Sequence, residues 1–372
     1  MELKADSGLY IGVLSGTSMD AVDVALCAFE NNTVKLLHTL SYPYPASLKE
    51  RMLKIIHDRN IDLIELGSLD YEYGALFADA VNLLIEQNHL SRESITAIGS
   101  HGQSLFHAPN AEFPFTLTLG SGQLIAEKTR IHTINDFRTR DILRGGQGAP
   151  LAPGFHHYVF NHRQENIAVV NIGGIANITF LPADRNASIQ GYDTGPGNML
   201  MDHWIGKIKQ CAFDRDGQFA KSGTVHTGLL NAFLSDPYFA KSAPKSTGRE
   251  LFNAAWLEAK CRDFPTIQPE DVQATLLQLT AQTIASELNK LPRLEKVMLC
   301  GGGAKNSFLV ETLQRLMPCH VCSSDEMGVS ADWMEAMLFA WLARETWNNR
   351  PGNCIHVTGA HSPAVLGALH LA

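Results

Sequence analysis

Two runs of β-branched and apolar residues near the beginning of the chain predict a hairpin. The runs are Tyr10–Leu14 and Val22–Phe29, and the polar residues 15–20 between them have the composition of a turn. A second pair of such runs, joined by Gly173 and Gly174, predicts another hairpin at residues 166–181. Because the strand–turn–strand pattern recurs, the chain is predicted to contain two related lobes.

Helical and strand patterns alternate along the rest of the first lobe. Apolar residues recur at helical spacing over Asp62–Leu90, and Ile95–Ser100 then has the pattern of a short strand. The segments that follow are predicted as a strand at Phe115–Leu119, a helix at Leu124–Lys128, a strand at Ile131–Ile134 and a loop at Asp141–Pro153. These patterns predict an α/β fold.

In the second lobe, a strand predicted at Glu295–Cys300 ends in the glycine turn Gly301–Gly303 before a helix. Such a turn is where open α/β sheets tend to bind ligands. Further helices are predicted from Pro269 up to a stop at Pro292, and at Trp333–Trp347. We therefore predict an N-terminal lobe at residues 1–165 and a C-terminal lobe at 166–372, with the alternative that the last segment packs back on the first lobe.

Composition and charge narrow the class of protein. A chain of 372 residues with 45% hydrophobic and 18% charged residues is long enough for two domains, each with its own core. A net charge of −8 without a block of Lys or Arg argues against nucleic acid or an anionic membrane as partner and favours small molecules. An odd set of seven cysteines and the lack of a signal-peptide pattern favour the cytoplasm.

Three glycine-containing turns, at Gly16–Asp20, Asn171–Asn177 and Gly301–Asn306, are candidates for binding phosphate groups. Backbone N–H groups exposed in such turns can cradle an anion. No Gly-x-x-x-x-Gly-Lys-Ser/Thr sequence occurs, which disfavours a P-loop NTPase. Two glycine hairpins with a strand-to-helix glycine turn instead match actin-like kinases, although each turn taken singly is also typical of a plain connection.

Asp193 is the candidate for catalysis. It precedes a Gly-Pro turn at a predicted strand end, where its carboxylate is suited to act as a general base. Phosphoryl transfer also requires a divalent ion to neutralise charge, and Asp20 and Asp23 are candidates for a place near that metal. The alternative is that Asp193 caps a helix that begins near Asn198.

A further polar group follows the strand predicted at Ile131–Ile134. Asp136 and Arg138 combine a carboxylate with a guanidinium group that can hold a substrate carboxylate, but a surface ion pair is equally compatible with the pattern. Glu335 lies on the predicted apolar helix at 333–347, where it either points towards a ligand or is simply solvated.

Several longer motifs can be compared with known families. They are Ile11-Gly-Val-Leu-Ser-Gly-Thr-Ser-Met-Asp20, Ser100-His-Gly-Gln103, Asn135-Asp-Phe-Arg138, Gly145-Gly-Gln-Gly-Ala-Pro-Leu151, Asn171-Ile-Gly-Gly-Ile-Ala-Asn177 and Asp193-Thr-Gly-Pro-Gly-Asn198. With these motifs the sequence resembles the anhydro-N-acetylmuramic acid kinase family over nearly its whole length. The resemblance implies two RNase H-like lobes of the actin-like ATPase type with a nucleotide cleft between them, ATP and Mg²⁺ as cofactors, and a homodimer.

The resemblance also implies the reaction. Members of this family recycle peptidoglycan: they hydrolyse the anhydro ring of 1,6-anhydro-N-acetylmuramic acid and phosphorylate its 6-oxygen, giving N-acetylmuramate 6-phosphate and ADP. The residues alone leave two alternatives open, a kinase for another small substrate and an actin-like ATPase that changes shape to regulate a partner.

Carried over by position, the resemblance assigns a role to each motif. Asp193 becomes the base that activates water, and the residues that contact the sugar are His101, Asp136, Arg138 and Glu335. The residues that contact ATP are Gly16, Thr17, Ser18, Met19, Asp20, Ala21, Val22, Asp23, Gly173, Gly174, Gly301, Gly302 and Gly303, with Asp20 and Asp23 also near Mg²⁺. The sequence departs from the family where Ala21 replaces a common glycine, and from actin-like proteins in having no Asp on its first strand.

Overall fold

A computed structural model of the chain describes residues 7–16, 19–162, 164–184 and 186–372. The chain divides into two compact units. The first consists of the residues up to Asn161 together with Trp333–Ala372, and the second of His162–Asp332. The terminal segment therefore belongs to the first unit rather than to the unit that begins near residue 166.

The first unit alternates strands and helices. Its elements in the first part of the chain are β1 (Gly8–Ser15), β2 (Ala21–Glu30), β3 (Thr33–Pro43), α1 (Ala46–Asp58), α2 (Leu63–Gln87), β4 (Ile95–Ser100), β5 (Gln103–Ala108), β6 (Phe115–Leu119), α3 (Gly122–Thr129), β7 (Thr133–Asn135), α4 (Thr139–Leu143) and α5 (Ala152–Val159). The predicted hairpin and long helix are confirmed. The predicted loop at Asp141–Pro153 is wrong at its two ends, because α4 and α5 extend into it. At the first end, the buried carboxylate of Asp141 accepts hydrogen bonds from Asn353 and Thr358, and these bonds hold α4 in place.

The second unit contains β8 (Ile167–Ile172), β9 (Ile175–Leu181), β10 (Gln190–Pro196), α6 (Met199–Lys209), α7 (Gln218–Ser222), α8 (Thr227–Leu234), α9 (Ala254–Cys261), α10 (Pro269–Leu288), β11 (Lys296–Cys300), α11 (Ser307–Leu316) and β12 (His320–Ser323). The chain then completes the first unit with α12 (Met334–Trp347), α13 (Ile355–Thr358) and β13 (Ala368–His370). The strands and helices predicted for the second hairpin and for residues 269–347 are confirmed, with small shifts of their ends.

The main sheets of the two units share one topology. Their strand orders are β13-β7-β4-β1-β2-β3 and β10-β9-β8-β11-β12. In each sheet the three earliest strands are antiparallel neighbours. The two strands that follow, β4 and β7 in one unit and β11 and β12 in the other, run parallel to the first strand. The repeated hairpins of the sequence therefore begin two copies of the same α/β fold.

Helix α12 packs directly on β1 and β4 through two glycines. A Cβ atom on Gly12 would lie 1.8 Å from the carbonyl oxygen of Ala336, and one on Gly99 would lie 2.0 Å from that of Phe339. Only glycine permits so close an approach of two backbones. This contact places the C-terminal segment in the first unit.

The two longest helices supply much of the core of their own units. In α2, Tyr73 and Phe77 are fully buried in the core of the first unit, and in α10, Leu279 and Ile284 are fully buried in that of the second. Burying such side chains contributes about 1.5–3 kcal/mol each. Of the helices in the described ranges, none has the length and apolar character needed to cross a membrane.

Candidate functional site

Asp193 lies inside β10, at an irregularity in its pairing with β9, and not at the strand end that the sequence predicted. It does not cap a helix, because α6 begins only at Met199 and Asp193 Oδ2 accepts a hydrogen bond from the backbone N–H of Thr247 at 3.0 Å. Burial raises the pKa of this carboxyl to about 6; the Thr247 N–H opposes that rise and the charge of Glu250 adds to it. Asp193 is therefore ionised near neutral pH and yet basic enough to accept a proton.

Polar contacts of Lys245 and Tyr238 hold the backbone of Asp193 in place. The Asp193 N–H donates to the carbonyl oxygen of Lys245 at 3.1 Å. Lys245 Nζ pairs with Glu287 Oε1 at 2.7 Å, and these two side chains are only 2% and 6% exposed. The hydroxyl of Tyr238 donates to the Asp193 carbonyl oxygen at 2.8 Å. Burial alone would raise the pKa of Glu287, but its partners Lys245 and Lys290 outweigh burial and lower it, so this carboxyl group is ionised.

Sequence reasoning did not identify Lys245, Thr247 or Glu287. None of them belongs to a motif, and all three are far from Asp193 along the chain. One signal in the sequence concerns Glu287. It follows Thr283 by four residues and therefore lies on the same face of the helix, which is buried in α10 and where an unpaired carboxylate would be costly.

The Gly173-Gly174 turn lies against the loop that follows β10. The backbone N–H groups of Gly197 and Asn198 donate to the carbonyl oxygens of Gly174 and Gly173, each at 2.8 Å. Asn198 Nδ2 also donates to the carbonyl oxygen of Ile172 at 3.0 Å. The second predicted phosphate turn and the segment that carries the predicted base are thus neighbours.

The turn Gly301–Gly303 packs on the same side of the second unit. A Cβ on Gly301, whose φ is +77°, would lie 2.3 Å from Asn171 Oδ1, and one on Gly303 would lie 2.3 Å from Ile172 Cγ2. Because β8 and β11 are parallel, both glycine turns follow the carboxyl ends of neighbouring strands. Two backbone turns at such an edge offer N–H groups to an anionic ligand.

The predicted phosphate loop of the first unit, residues 16–23, joins β1 to β2. Thr17 and Ser18 lie outside the described residues. The N–H of Met19 donates to the carbonyl oxygen of Gly16 at 3.1 Å. Ala21 and Val22 already belong to β2, and Val22 is a fully buried core residue paired with Ser15. The side chain of Val22 is therefore not available to a ligand.

The two carboxylates suggested for the metal differ in setting. Asp20 is largely exposed and pairs with Lys49 Nζ at 2.8 Å, whereas Asp23 lies in β2 and accepts a hydrogen bond from Ser41 Oγ at 3.0 Å. Carboxylate oxygens fit Mg²⁺, which commonly keeps several waters and binds through one or two carboxylates and substrate phosphates. Since each carboxylate already has a protein partner, they suit contact with the ion through its waters.

Buried polar atoms without a partner mark the carboxyl ends of β1 and β4, which are parallel neighbours. Ser15 Oγ, Ser100 Oγ and Gln103 Oε1 accept or donate no hydrogen bond within the described part of the chain. An unsatisfied buried polar group costs about 1–3 kcal/mol, and a bound polar ligand is a common way to satisfy it. These atoms therefore point to a ligand at this edge of the first sheet.

Arg138, His101 and Glu335 come together in the first unit. Arg138 Nη2 contacts His101 Nε2 at 2.9 Å, and Nη1 donates to the carbonyl oxygen of Gly148 at 2.8 Å. Burial, with a contribution from the Arg138 cation, lowers the pKa of His101 to about 3, so the ring is neutral and Nε2 accepts the bond. Burial also lowers the pKa of Arg138, and the Glu335 carboxylate on α12 opposes that change.

Asp136, the fourth residue predicted to contact the sugar, has a local structural contact. It adopts a left-handed backbone with φ of 54°. Its Oδ1 accepts hydrogen bonds from the N–H and hydroxyl of Thr139, at 3.4 and 2.6 Å, at the start of α4. This bonding fixes the turn that presents Arg138.

Comparison with protein families gives one match, which extends over residues 8–372 and has the description anhydro-N-acetylmuramic acid kinase. The match covers nearly the whole chain, so it includes both units and all the motifs above.

Solved structures of similar fold have low sequence identity to this chain. Component A of (R)-2-hydroxyglutaryl-CoA dehydratase from Acidaminococcus fermentans is 10% identical, with a TM-score of 0.51 over 92% of this chain and 100% of that chain. The activator of 2-hydroxyisocaproyl-CoA dehydratase from Clostridium difficile, with bound ADPNP, is 13% identical, with a TM-score of 0.47 over 91% and 94% of the two chains. A ROK family glucokinase from Streptomyces griseus, in complex with glucose and AMPPNP, is 11% identical, with a TM-score of 0.42 over 91% and 100%. The predicted fold class, α/β with two RNase H-like units, is confirmed.

Proposed function

Because this chain belongs to the anhydro-N-acetylmuramic acid kinase family, we propose that Asp193 is the base of its reaction. The family's activity makes the chain an ATP-dependent phosphotransferase of cell wall recycling. It opens the anhydro ring of 1,6-anhydro-N-acetylmuramic acid and phosphorylates the 6-oxygen, giving N-acetylmuramate 6-phosphate and ADP. The observation that carries the proposed role is the partly buried Asp193 carboxylate, held by the Thr247 N–H and with a pKa raised to about 6.

Asp193 would act on the water that opens the ring. It takes a proton from water while the water oxygen forms a bond to the anomeric carbon. The bond from that carbon to the 6-oxygen breaks, the 6-oxygen bonds to the γ-phosphorus of ATP, and ADP leaves. The proton on Asp193 then passes to solvent. One carboxylate can thus serve ring opening and transfer together.

The glycine turns would bind ATP. In the second unit, Gly173 and Gly301 already donate their backbone N–H groups to the carbonyl oxygens of Ile175 and Ala331. The N–H groups of Gly174, Gly302 and Gly303 would therefore be the ones that bind phosphate oxygens. In the first unit, the turn that begins at Gly16 and passes through Met19 and Asp20 would do the same. Mg²⁺ would be held near Asp20 and Asp23 and would neutralise charge on the phosphates.

Arg138, His101 and Glu335 would bind the sugar. Arg138 already donates to His101 and Gly148, and a guanidinium group has five N–H donors, so others remain for the carboxylate of the substrate. Use of ATP favours the cytoplasm, and the family resemblance favours a homodimer.

The test is an ADP-release assay with Mg²⁺-ATP and 1,6-anhydro-N-acetylmuramic acid. Wild type is compared with Asp193→Asn, which keeps an oxygen to accept from the Thr247 N–H, and with Asp263→Asn as an exposed control. We expect turnover that requires the sugar, a product that gains both phosphate and water by mass, and a loss of at least ~10²-fold in kcat for Asp193→Asn alone.

Wild-type activity in folded Asp193→Asn would show that another group is the base. A folded wild type that binds ATP but does not turn over the anhydro sugar would instead move the substrate assignment to a different small molecule.

A further inference from the structure

A cluster of side chains of metal-ligating type lies at the edge strand of the second sheet. His320 and Cys322 are two residues apart on β12 and therefore lie on one face of the strand. Glu326 belongs to the 3₁₀ turn Ser324–Met327 that follows. One ligand atom from each residue lies within 4.8 Å of the others, and His320 Nε2 is 3.7 Å from a Glu326 carboxylate oxygen.

We propose that His320, Cys322 and Glu326 form a site for a borderline-soft divalent cation, with Zn²⁺ as the best fit. Imidazole nitrogen, thiolate sulfur and carboxylate oxygen are the ligand types that Zn²⁺ takes, and Mg²⁺ and Ca²⁺ do not use thiolates. Three protein ligands leave the fourth tetrahedral position to water. On binding, the thiol proton of Cys322 passes to solvent. This site does not depend on the proposed function.

The geometry requires only a small movement of the exposed ligands. Metal–ligand bonds of about 2.0–2.3 Å in a tetrahedron place ligand atoms about 3.3–3.8 Å apart. Cys322 is fixed, with 3% of its surface exposed, whereas the side chains of His320 and Glu326 are each 60% exposed and free to turn towards it. The site therefore has one rigid ligand and two that adjust.

The turn that carries Glu326 is itself held in place. Asp325 N donates to Ser323 Oγ at 3.2 Å, and Asp325 Oδ1 accepts from the N–H of Ala331 at 3.2 Å. Asp325 is thus engaged within the turn, and Glu326 is the carboxylate left to face β12. Among the described residues, this is the one group of three His, Cys, Asp or Glu side chains with ligand atoms this close.

Charge is nearly balanced at the site. Zn²⁺ would be neutralised by the Cys322 thiolate and the Glu326 carboxylate, with His320 neutral. The nearest cation on the facing strand is Lys296, which pairs in register with His320 and whose Nζ lies 3.7 Å from Met327 Sδ. Lys296 opposes a bound dication, but its ammonium group is directed to a surface methionine and can move into solvent.

The experiment uses full-length protein without an affinity tag, treated with chelator and then titrated with Co²⁺, which takes the same ligands as Zn²⁺. We expect one equivalent to bind, with the near-ultraviolet absorption of a cobalt–thiolate bond, and to be displaced by Zn²⁺. His320→Ala and Glu326→Gln, both at exposed positions, should fold normally and each weaken binding by about tenfold or more. Cys322→Ser should abolish the thiolate band.

Cys319→Ser and Cys211→Ser are the matched controls, since neither thiol belongs to the cluster. They should keep both the stoichiometry and the absorption band. Co²⁺ binding without a thiolate band, or binding unchanged in His320→Ala and Glu326→Gln, would overturn the proposed site.

Discussion

Asp193 and Thr247 are joined by a 3.0 Å hydrogen bond although 54 residues separate them in sequence. Because the donor is a backbone N–H, the bond depends on where the chain around residue 247 lies rather than on its side chain. The Thr247 hydroxyl is buried and has no partner among the described residues, so it is available to a ligand beside the carboxylate. The orientation of the proposed base is thus set by a loop, and changes in that loop should affect catalysis.

The raised pKa of Asp193 predicts an acidic limb in the pH profile. The base must be ionised, so kcat/KM for the anhydro sugar should fall about tenfold per pH unit below about 6 and be level above it. The measurement is a pH–rate series at saturating ATP. A profile that stays level down to pH 5, with the enzyme still folded, would contradict the assignment.

Asp193→Asn should stabilise the protein at alkaline pH. The folded pKa of about 6 lies above that of an unfolded Asp, so the protonated form favours folding, and this stability is lost as pH rises through 6. Asn removes the buried charge, and we expect a gain of about 1–3 kcal/mol in free energy of unfolding at pH 8. Urea unfolding of wild type and Asp193→Asn at pH 8 and pH 5 checks this. The gain in free energy of unfolding should be clearly smaller at pH 5. An equal gain at the two pH values would show that removal of the buried charge is not its cause.

The fold and the motifs could be predicted from the sequence, but the residues that hold the motifs in position could not. Hairpins, the long helices and the glycine turns have local signals, because their hydrophobic periods and turn residues are close in the sequence. The strand position of Asp193 was missed because a register irregularity within β10 is set by pairing with β9. Lys245 and Glu287 meet only in the folded unit, so no local pattern could pair them.

Loss of the buried partner of Lys245 should destabilise the second unit strongly. Glu287→Met leaves the Lys245 ammonium buried without a counter-charge, and we expect a loss of roughly 3–5 kcal/mol in free energy of unfolding. Glu258→Met breaks the exposed pair with Lys207 and should leave the free energy of unfolding nearly unchanged. The double variant Lys245→Met/Glu287→Met should recover much of the lost free energy of unfolding, which urea unfolding measures. If Glu287→Met alone is as stable as Glu258→Met, the pair of Lys245 and Glu287 is not effectively buried.

Gly174→Ala should weaken ATP binding without unfolding the protein. A Cβ at Gly174 would have its nearest neighbour at 3.8 Å, so the fold accepts it, but the methyl group would occupy space that a phosphate needs above the turn. We expect the KM for ATP to rise about tenfold, with the melting temperature little changed. Gly67→Ala, in α2 with open space around it, is the matched control and should leave KM unchanged. An unaltered KM in Gly174→Ala would remove this turn from the nucleotide site.

Arg138→Lys should weaken sugar binding selectively. The guanidinium group contacts His101 and Gly148 at once, and a lysine ammonium group cannot reproduce that planar arrangement while still presenting donors to a substrate carboxylate. We expect the KM for the anhydro sugar to rise about tenfold or more, with the KM for ATP unchanged. Arg140→Lys, at an exposed arginine that donates to the Val365 carbonyl oxygen, serves as control. Equal effects on both substrates would mean that Arg138 supports the structure of the first unit and does not contact the sugar.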